Sequence, residues 1–255
     1  MKIGIAGCTG RMGALLVKEV LASAPQLYLA GGITRDKVKA PLSVPLLTNA
    51  EDLFASSDVV IDFTAPEASV LHARIAARTG KPLVIGTTGF SEAERTEITE
   101  QAKSVPILLT PNASLGVNVM LELVKKTASL LGPDFAIEIL EAHHSQKQDA
   151  PSGTALALGQ AAAEGREIDL RSHAVYSRHG RTGPRQDREI GFSVLRGGDI
   201  VGEHTVYFIG QGERIELTHR ATDRAIFAKG ALKAARWLAG QKAGFYTMAD
   251  FLRLA

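Results

Sequence analysis

A short apolar strand that leads directly into a glycine loop constrains the fold of this chain more than any other feature. Residues 2–6 are mostly apolar, Gly7, Gly10 and Gly13 follow, and a stretch with helical spacing of apolar residues begins at Met12. A strand, a glycine loop and a helix in this order open a βαβ unit, in which backbone amides and the helix N-terminus can approach a pyrophosphate closely. The pattern favours a dinucleotide-binding loop over an ordinary glycine-rich turn.

The first 113 residues or so alternate short β-branched runs with amphipathic stretches, which predicts a parallel sheet covered by helices. The predicted strands are residues 2–6, 27–33, 59–63, 82–85 and 107–110. The predicted helices are residues 12–22, 67–78 and 91–103. Ser91 and Glu94 have the spacing of a capping box at the start of the last of these helices.

After Asn112 the pattern changes to that of an α+β domain. A helix, a strand and a second helix are predicted at residues 118–131, 135–140 and 152–163. Three strand-like runs separated by glycine-bearing turns follow at residues 190–195, 203–209 and 213–220. The tail returns to helix at residues 226–238 and 248–254. Strands grouped in this way predict a mostly antiparallel or mixed sheet.

We therefore expect an α/β fold of two domains. A doubly wound, Rossmann-like domain that binds a dinucleotide should contain residues 1–113. A smaller α+β domain, which should bind the substrate, is expected over residues 114–223.

The composition excludes several classes of protein. With 255 residues and 45% apolar content the chain can bury a real core. The 29 basic and 27 acidic residues leave a formal charge of +2, too small for a nucleic-acid or membrane-surface binder. The single cysteine, Cys8, cannot form an intramolecular disulfide, and no Cys/His cluster has zinc-ligand spacing. No signal peptide or long apolar span is recognisable, so we expect a cytoplasmic protein without a metal site.

The residue that follows the second strand bears on the choice of nicotinamide cofactor. An acidic residue about 20 positions beyond the glycines usually grips the ribose hydroxyls of NAD. Thr34 occupies this position here, and Arg35, Lys37 and Arg11 can supply positive charge for a 2′-phosphate. Asp36, one place further on, could partly replace the missing carboxylate. We predict that NADPH is preferred and that NADH is also used.

A second loop of small residues, Gly86-Thr87-Thr88-Gly89, follows the fourth predicted strand. Small residues at the carboxyl edge of a parallel sheet let a loop lie against a nicotinamide ribose. By itself the loop could be a plain turn. Its position after a predicted strand is what indicates a cofactor contact.

The stretch from Glu141 to Thr154 contains the residues best suited to catalysis. His143 and His144 are followed by Lys147 and then by a Ser-Gly-Thr helix start at Ser152. Together they supply a proton donor, a cation and a cluster of anion-binding amides, whereas a polar loop without chemistry is the alternative. If the preceding strand continues, its period of two places the two histidines on opposite faces. Only one of them should then be the proton donor.

This stretch closely resembles the central signature of the 4-hydroxy-tetrahydrodipicolinate reductase family, Glu-Ala-His-His, then Lys, then Asp-Ala-Pro-Ser-Gly-Thr-Ala. The resemblance covers nearly the whole chain. Further motifs lie at residues 7–13 (Gly-x-x-Gly-Arg-Met-Gly), 62–64 (Asp-Phe-Thr), 86–90 (Gly-Thr-Thr-Gly-Phe), 116–120 (Gly-Val-Asn-Val-Met) and 198–205 (Gly-Asp-Ile-Val-Gly-Glu-His-Thr). The histidine signature is highly specific, and the glycine loop is not.

The resemblance implies a nicotinamide-dependent reductase of lysine and diaminopimelate biosynthesis that acts on a small dicarboxylate ring. His143 would be the proton donor, Lys147 a substrate-binding cation that could also donate a proton, and His144 a substrate contact. Gly153 and Thr154 would hold a carboxylate. The residues that would line the cofactor are Gly7, Cys8, Thr9, Gly10, Arg11, Met12, Thr34, Arg35, Gly86, Thr87, Thr88, Thr110, Pro111, Asn112 and Ala113.

The resemblance also implies a homotetramer, built through the sheet of the second domain. It further implies that the C-terminal helices return to the dinucleotide-binding domain, which would then contain residues 1–113 and 224–255. Two positions depart from the family pattern. Thr34 stands where some members have an acid, which bears on cofactor preference. Ala113 stands where many members have phenylalanine, which bears on nicotinamide packing.

Two other functions are compatible with parts of this pattern. A different two-domain dehydrogenase of aspartate-derived metabolites would share the nucleotide half, but the double-histidine region argues against it. An inactive nucleotide-sensing protein would keep the glycine loop, but it has no reason to hold His143 and Lys147 together.

The segment 166–188 contains six arginines and two histidines among glycines and prolines. It is expected to form an exposed loop rather than a nucleic-acid-binding arm. An anion-attracting flap over the active site is the alternative.

Overall fold

Two β-sheets organise this chain, one in each of two units. The computed structural model describes residues 1–35 and 44–254. Unit 1 contains Met1–Leu115 and Ala225–Ala255, and unit 2 contains Gly116–Arg224. From the sequence and the family resemblance, these boundaries are expected after residues 113 and 223.

The part of the chain that the structure describes forms nine helices and eleven strands. In chain order they are β1 (Lys2–Ala6), α1 (Arg11–Ala22), β2 (Tyr28–Ile33), α2 (Ala50–Ser56), β3 (Val59–Asp62), α3 (Pro66–Thr79), β4 (Leu83–Ile85), α4 (Glu92–Gln101), β5 (Pro106–Leu109), α5 (Leu115–Leu131), β6 (Ala136–His143), α6 (Gly153–Gly165), α7 (Leu170–His173), β7 (Ala174–Val175), β8 (Ile190–Arg196), β9 (Gly202–Ile209), β10 (Arg214–Ala221), α8 (Ala225–Leu238), β11 (Gly244–Tyr246) and α9 (Met248–Leu252).

The sheet of unit 1 has the strand order β11-β5-β4-β3-β1-β2, and every pairing in it is parallel. Its central strands are buried along their whole length, as expected for a parallel sheet that is covered on both faces. Residues of α1 and α8 pack on one face, and residues of α2, α3 and α4 pack on the other. The predicted doubly wound, Rossmann-like arrangement is therefore confirmed.

Local sequence signals account for most of the element ends in unit 1. Ser91 and Glu94 form the predicted capping box, with the Ser91 amide donating to Glu94 Oε2 at 2.7 Å. Helix α2 was missed in the prediction, although its cap, in which the Asp52 amide donates to Asn49 Oδ1 at 2.8 Å, is a recognisable start signal. Strand β11 was also missed, because three residues at a sheet edge are too short to show a period.

The sheet of unit 2 has the strand order β10-β9-β6-β8-β7. Strand β9 is antiparallel to β6 and β10, whereas β8 is parallel to β6 and β7. The sheet is therefore mixed, which is one of the two arrangements that we expected. It is not mostly antiparallel. The reason is that α6 and α7 lie between β6 and β8 in the chain, and such a crossover returns the next strand in the parallel direction.

The two faces of β6 have different surroundings. Ile137 and Ile139 belong to a core that includes Ala155 and Leu158 of α6. Glu138, on the opposite face, accepts two hydrogen bonds of 2.9 Å from Arg178. Because the side chains of a strand alternate, Glu141 and His143 lie on the face that the helices cover.

The arginine-rich segment 166–188 is more ordered than a free loop, since it includes α7 and β7. Three of its basic residues line a cavity of about 290 Å³ together with three acidic residues. The charged residues around this cavity are Arg166, Arg185, Arg188, Glu167, Asp187 and Glu189. Because the two signs balance, the cavity offers little support for the anion-attracting alternative.

Candidate cofactor-binding and catalytic residues

The glycine loop follows β1, as the sequence indicates. Gly7 has a φ of +81°, and a Cβ at this position would lie 2.4 Å from the Phe63 carbonyl oxygen, so only glycine fits. Cys8 is buried, and burial raises the pKa of its thiol above the ordinary value. Its sulfur would lie 2.7 Å from a Cβ at Gly32, so the side chain packs beneath β2.

The start of α1 fits a pyrophosphate. The first amides of a helix have no partner within the helix, and Gly10 provides no side-chain cap for them. The first turn of α1 contains no acidic residue, and Arg11 is exposed there. Unsatisfied amides at a helix N-terminus, without a competing carboxylate, are the donors that a phosphate group requires.

Thr34 lies beside this loop. Its Oγ1 is 2.5 Å from Oγ1 of Thr9, and Arg35, the next residue, is exposed. Asp36 and Lys37, which also bear on cofactor choice, lie outside the described residues. Thr34 is therefore placed where an acidic side chain would face the glycine loop.

The loop after β4 is tied to the loop after β3. The Gly86 amide donates to the Asp62 carbonyl oxygen at 2.9 Å. Thr87 Oγ1 accepts hydrogen bonds from the Thr64 amide at 3.0 Å and from Ser69 Oγ at 2.9 Å. The Thr87 hydroxyl is therefore engaged within the protein, whereas Thr88 is exposed.

A buried carboxylate anchors this pair of loops. Asp62 Oδ2 lies 2.9 Å from Nδ1 of His72 on α3, and Asp62 Oδ1 accepts from Thr64 Oγ1 at 2.6 Å. Asp62 is fully buried and His72 is 4% exposed. Neither His72 nor Ser69 was expected to have a role from the sequence.

The turn after β5 is closed by its own side chains. Thr110 Oγ1 donates to the Asn112 carbonyl oxygen at 2.8 Å, and Asn112 Oδ1 accepts from the Ser114 amide at 2.9 Å. Pro111 is exposed and Ala113 is buried. Gly230 of α8 lets that helix approach, since a Cβ there would meet the Ala113 carbonyl oxygen at 1.9 Å.

In unit 2, β6 extends to His143, three residues beyond the predicted end. Glu141 and His143 are two residues apart on the same face, and Glu141 Oε2 lies 2.6 Å from His143 Nδ1. Glu141 is 1% exposed, and the side chain of His143 is 12% exposed. The pair thus combines a buried carboxylate with a partly accessible imidazole.

Glu141 is also held from two other elements. Arg196 on β8 donates from Nη1 to Oε2 and from Nη2 to Oε1, both at 2.8 Å. The Ser152 amide, at the start of α6, donates to Oε1 at 2.9 Å. Ser152 Oγ lies 3.0 Å from Nε2 of His204, whose ring meets the His143 ring edge-on with centroids 5.1 Å apart.

This environment shifts the pKa values of the three ionisable groups. Burial favours the neutral form of Glu141, but hydrogen bonds from Arg196, His143 and the Ser152 amide outweigh it and hold its pKa below the ordinary value. Burial lowers the pKa of His143, and the Glu141 carboxylate only partly opposes this effect. Burial lowers the pKa of His204 further, to about 4. Both imidazoles are therefore mainly neutral near pH 7.

The remaining predicted substrate residues follow β6. Lys147 Nζ donates to Asp149 Oδ1 at 2.7 Å, and the charge of Lys147 acts on His143. His144 takes a different direction, with its Nε2 3.0 Å from Arg224 Nη2. Gly153 is the first residue of α6 and is exposed, and Thr154 follows it.

Sequence reasoning missed the residues that surround His143, on its own strand and on the neighbouring strands. Glu141 could have been found, because an acid two residues before a histidine in a strand shares its face. No local signal points to Arg196 or His204, since their contacts depend on how β8 and β9 pair with β6.

Within residues 1–35 and 44–254, none of the helices combines the length and apolar character that a membrane span requires. The same residues contain no group of three or more His, Cys, Asp or Glu side chains placed to hold a metal ion.

Comparison with known proteins matches this chain along its whole length. The family model for the N-terminus of dihydrodipicolinate reductase matches residues 1–113, and the model for its C-terminus matches residues 116–252. The second match includes α8, β11 and α9, which belong to unit 1 by contact.

Curated relatives and a solved structure agree with these matches. The chain is 46% identical to 4-hydroxy-tetrahydrodipicolinate reductase of Anaeromyxobacter dehalogenans, over 99% of this chain and 98% of the relative. It is 47% identical to the enzyme of the same name from Magnetococcus marinus, with the same two coverages. A dipicolinate-bound dihydrodipicolinate reductase from Paenisporosarcina sp. TG-14 has the same fold, with a TM-score of 0.81 and 23% identity over 99% of both chains. The chain therefore belongs to the dihydrodipicolinate reductase family.

Proposed function

We propose that this chain catalyses the NAD(P)H-dependent reduction of 4-hydroxy-tetrahydrodipicolinate to tetrahydrodipicolinate, a step of lysine and diaminopimelate biosynthesis. The observation that carries the proposal is the grouping of His143 with Glu141, Arg196 and Lys147 at the end of β6. Membership of the reductase family and the names of the two relatives support the same reaction.

Unit 1 supplies the cofactor contacts in this proposal. We assign them to residues 7–12, 34–35, 86–88 and 110–113. When bound, the nicotinamide supplies the hydride that adds to the substrate ring. Thr34 does not repel a 2′-phosphate, and the exposed Arg35 and Arg11 can attract one, which favours NADPH while leaving NADH acceptable.

His143 is the proposed proton donor. Hydride addition leaves negative charge on the ring, and a proton must neutralise it. Burial lowers the pKa of His143, which makes its protonated ring a stronger acid. Proton transfer from a positioned group contributes roughly 10²- to 10⁴-fold in rate. His144, which is bonded to Arg224, is assigned to substrate contact instead.

Positive partners for two substrate carboxylates come from Lys147 and from the amides at the start of α6, at Gly153 and Thr154. Without substrate, Lys147 bonds to the exposed carboxylate of Asp149. A substrate carboxylate would take the place that Asp149 holds.

A homotetramer formed through the sheet of unit 2 is part of the proposal. Leu195 is 54% exposed and Ile209 38% exposed, on the sheet face opposite α5 and α6. Light scattering should give the mass of four chains, and Leu195→Glu should reduce it. A cytoplasmic location, where Cys8 stays reduced, goes with this function, and neither nucleic acid nor a membrane is among the proposed partners.

The test is turnover of freshly generated 4-hydroxy-tetrahydrodipicolinate by the purified chain, followed by the loss of reduced-nicotinamide absorbance. We expect steady oxidation that requires the ring substrate and is faster with NADPH than with NADH. A dehydrogenase of another aspartate-derived metabolite would oxidise the cofactor only with that metabolite. A nucleotide sensor would bind the cofactor without oxidising it.

A further inference from the structure

The His143 ring has one nitrogen engaged and one available. Nδ1 lies 2.6 Å from Glu141 Oε2. An ionised carboxylate only accepts hydrogen bonds, so Nδ1 carries the proton in this pair. Among the described residues, Nε2 of His143 has no hydrogen-bond partner.

Arg196 has no free terminal nitrogen with which to bind a substrate. Nη1 donates to Glu141 Oε2 and to the Leu195 carbonyl oxygen, at 2.8 and 2.7 Å. Nη2 donates to Glu141 Oε1 and to the Asp149 carbonyl oxygen, at 2.8 and 2.7 Å. The guanidinium therefore fixes the carboxylate and the chain that leads to α6.

We propose that Glu141 and Arg196 are positioning residues for the reaction: Arg196 fixes Glu141, Glu141 fixes the His143 ring with its proton on Nδ1, and Nε2 is the atom that exchanges a proton with the substrate. The inference rests on the proposed function, because it requires His143 to be the proton donor. It adds two residues, 55 positions apart in sequence, that act through the histidine.

Gly202 keeps the Nε2 edge of the ring open. Glu141 pairs with His204 across β6 and β9, so the same antiparallel register sets Gly202 opposite His143. A Cβ at Gly202 would lie 3.0 Å from Nε2, closer than a methyl group normally packs. Any side chain at this position would occupy the space that a proton acceptor needs.

Four groups from three strands and one loop act on the charge of the ring. They are Glu141 on β6, Lys147 after β6, Arg196 on β8 and His204 on β9. Burial has the largest effect and lowers the pKa of His143. Glu141 raises this pKa, whereas Lys147 and Arg196 lower it. Removing Glu141 and removing Arg196 should therefore move this pKa in opposite directions.

The experiment is the pH dependence of kcat/KM for wild type, Glu141→Gln and Arg196→Gln. Activity needs the protonated ring, so it should fall as the pH rises through the pKa of His143. Glu141→Gln should move this fall to lower pH by about one unit or more and reduce turnover at neutral pH by about ten-fold. Arg196→Gln should move it to higher pH. The cofactor dissociation constants of both variants should stay at the wild-type value.

A matched control lies on the other face of the same strand. Glu138→Gln removes a carboxylate that is bonded to Arg178 through both oxygens, and it should leave the pH of the fall unchanged. The double variant Glu141→Gln/His143→Ala should be no slower than His143→Ala alone, because Glu141 acts only through the histidine.

A measurement on the wild-type chain does not depend on how the variants fold. Nitrogen NMR of the neutral His143 ring should find the proton on Nδ1, and a proton on Nε2 would overturn the inference. Shifts of the same sign in the two variants, no shift in either, or an additive loss in the double variant would also overturn it. Failure of the proposed function is distinguishable, since the wild type itself would then not oxidise the cofactor with the ring substrate.

Discussion

Each unit of this protein buries a carboxylate against Nδ1 of a histidine. In unit 1 the two atoms of Asp62 and His72 are 2.9 Å apart, and in unit 2 those of Glu141 and His143 are 2.6 Å apart. The surroundings differ. Asp62 accepts a hydrogen bond from the Thr64 hydroxyl and His72 lies near the Phe54 ring, whereas Glu141 and His143 lie among the charges of Arg196 and Lys147.

The difference in surroundings supports a structural role for the first pair and the proposed chemical role for the second. His72 is sealed in the interior, so its ring can only hold Asp62 and, through Thr64, the loop that contains Thr87. His143 keeps part of its ring accessible, and charges of both signs tune it. A carboxylate–histidine pair therefore indicates catalysis only when its second nitrogen can reach a substrate.

Replacing His143 is expected to have the largest effect. His143→Ala should lower turnover by about 10²-fold or more with little change in cofactor affinity, because it removes only the proton donor. Steady-state kinetics and cofactor titration measure the two quantities. Unchanged turnover would remove His143 from the mechanism and with it the contrast between the two pairs.

Lys147→Ala should weaken substrate capture as well as turnover. A carboxylate that loses a charged partner loses roughly 1.5 to 3 kcal/mol, or about ten- to a hundred-fold in kcat/KM. Asp149→Asn is the matched control, since it frees Lys147 from its ion pair and should not weaken substrate binding. A wild-type KM with intact turnover in Lys147→Ala would contradict the assignment.

Asp62→Ala should act on stability and cofactor binding rather than on chemistry. It leaves buried His72 Nδ1 and the Thr64 hydroxyl without their acceptor, which should lower the free energy of unfolding by about 2 kcal/mol. The loosened Thr87 loop should also raise the cofactor dissociation constant. Denaturant titration and cofactor titration are the measurements. A stable variant that has lost turnover by about 10²-fold would make Asp62 catalytic and end the comparison.

Thr34→Glu should move cofactor preference toward NADH by about ten-fold, because a carboxylate repels the 2′-phosphate and accepts from the ribose hydroxyls. Arg35→Ala should act in the same direction. Thr34→Val, which keeps the shape of threonine and removes the hydroxyl without adding a charge, controls for loss of the contact with Thr9. Dissociation constants for both cofactors must be compared at one salt concentration, since the phosphate contact is screened. Tighter binding of NADH than NADPH by the wild type would refute the predicted preference.

The last expected effect is on stability at acid pH. The pKa of His204 is lowered from 6.5 to about 4 in the folded chain. Between these values the unfolded chain binds a proton that the folded chain does not, so stability falls as the pH falls, by up to about 1.4 kcal/mol per unit. His204→Gln should flatten this part of the curve of unfolding free energy against pH. If the curve of that variant has the same slope as the curve of the wild type, other groups cause the loss of stability at acid pH.

Much of the fold and of the site could be predicted from short stretches of sequence. The strand, glycine loop and helix at the N-terminus, the parallel sheet of unit 1 and the capping box at Ser91 are confirmed, because each is set by neighbours in the chain. The assignments of His143 and Lys147 came from the same kind of local signal and stay predictions. Period two in a strand also anticipates that His143 and His144 take different directions, as their contacts with Glu141 and Arg224 do.

Tertiary structure alone decided which residues surround the histidine. Arg196 reaches Glu141 only because β8 runs parallel to β6 in one register, and Gly202 faces His143 only because β9 runs antiparallel to it. His72 likewise meets Asp62 only when α3 packs on the sheet. These contacts join residues that are far apart in sequence, so their geometry depends on strand pairing and packing, which no local pattern of residues encodes.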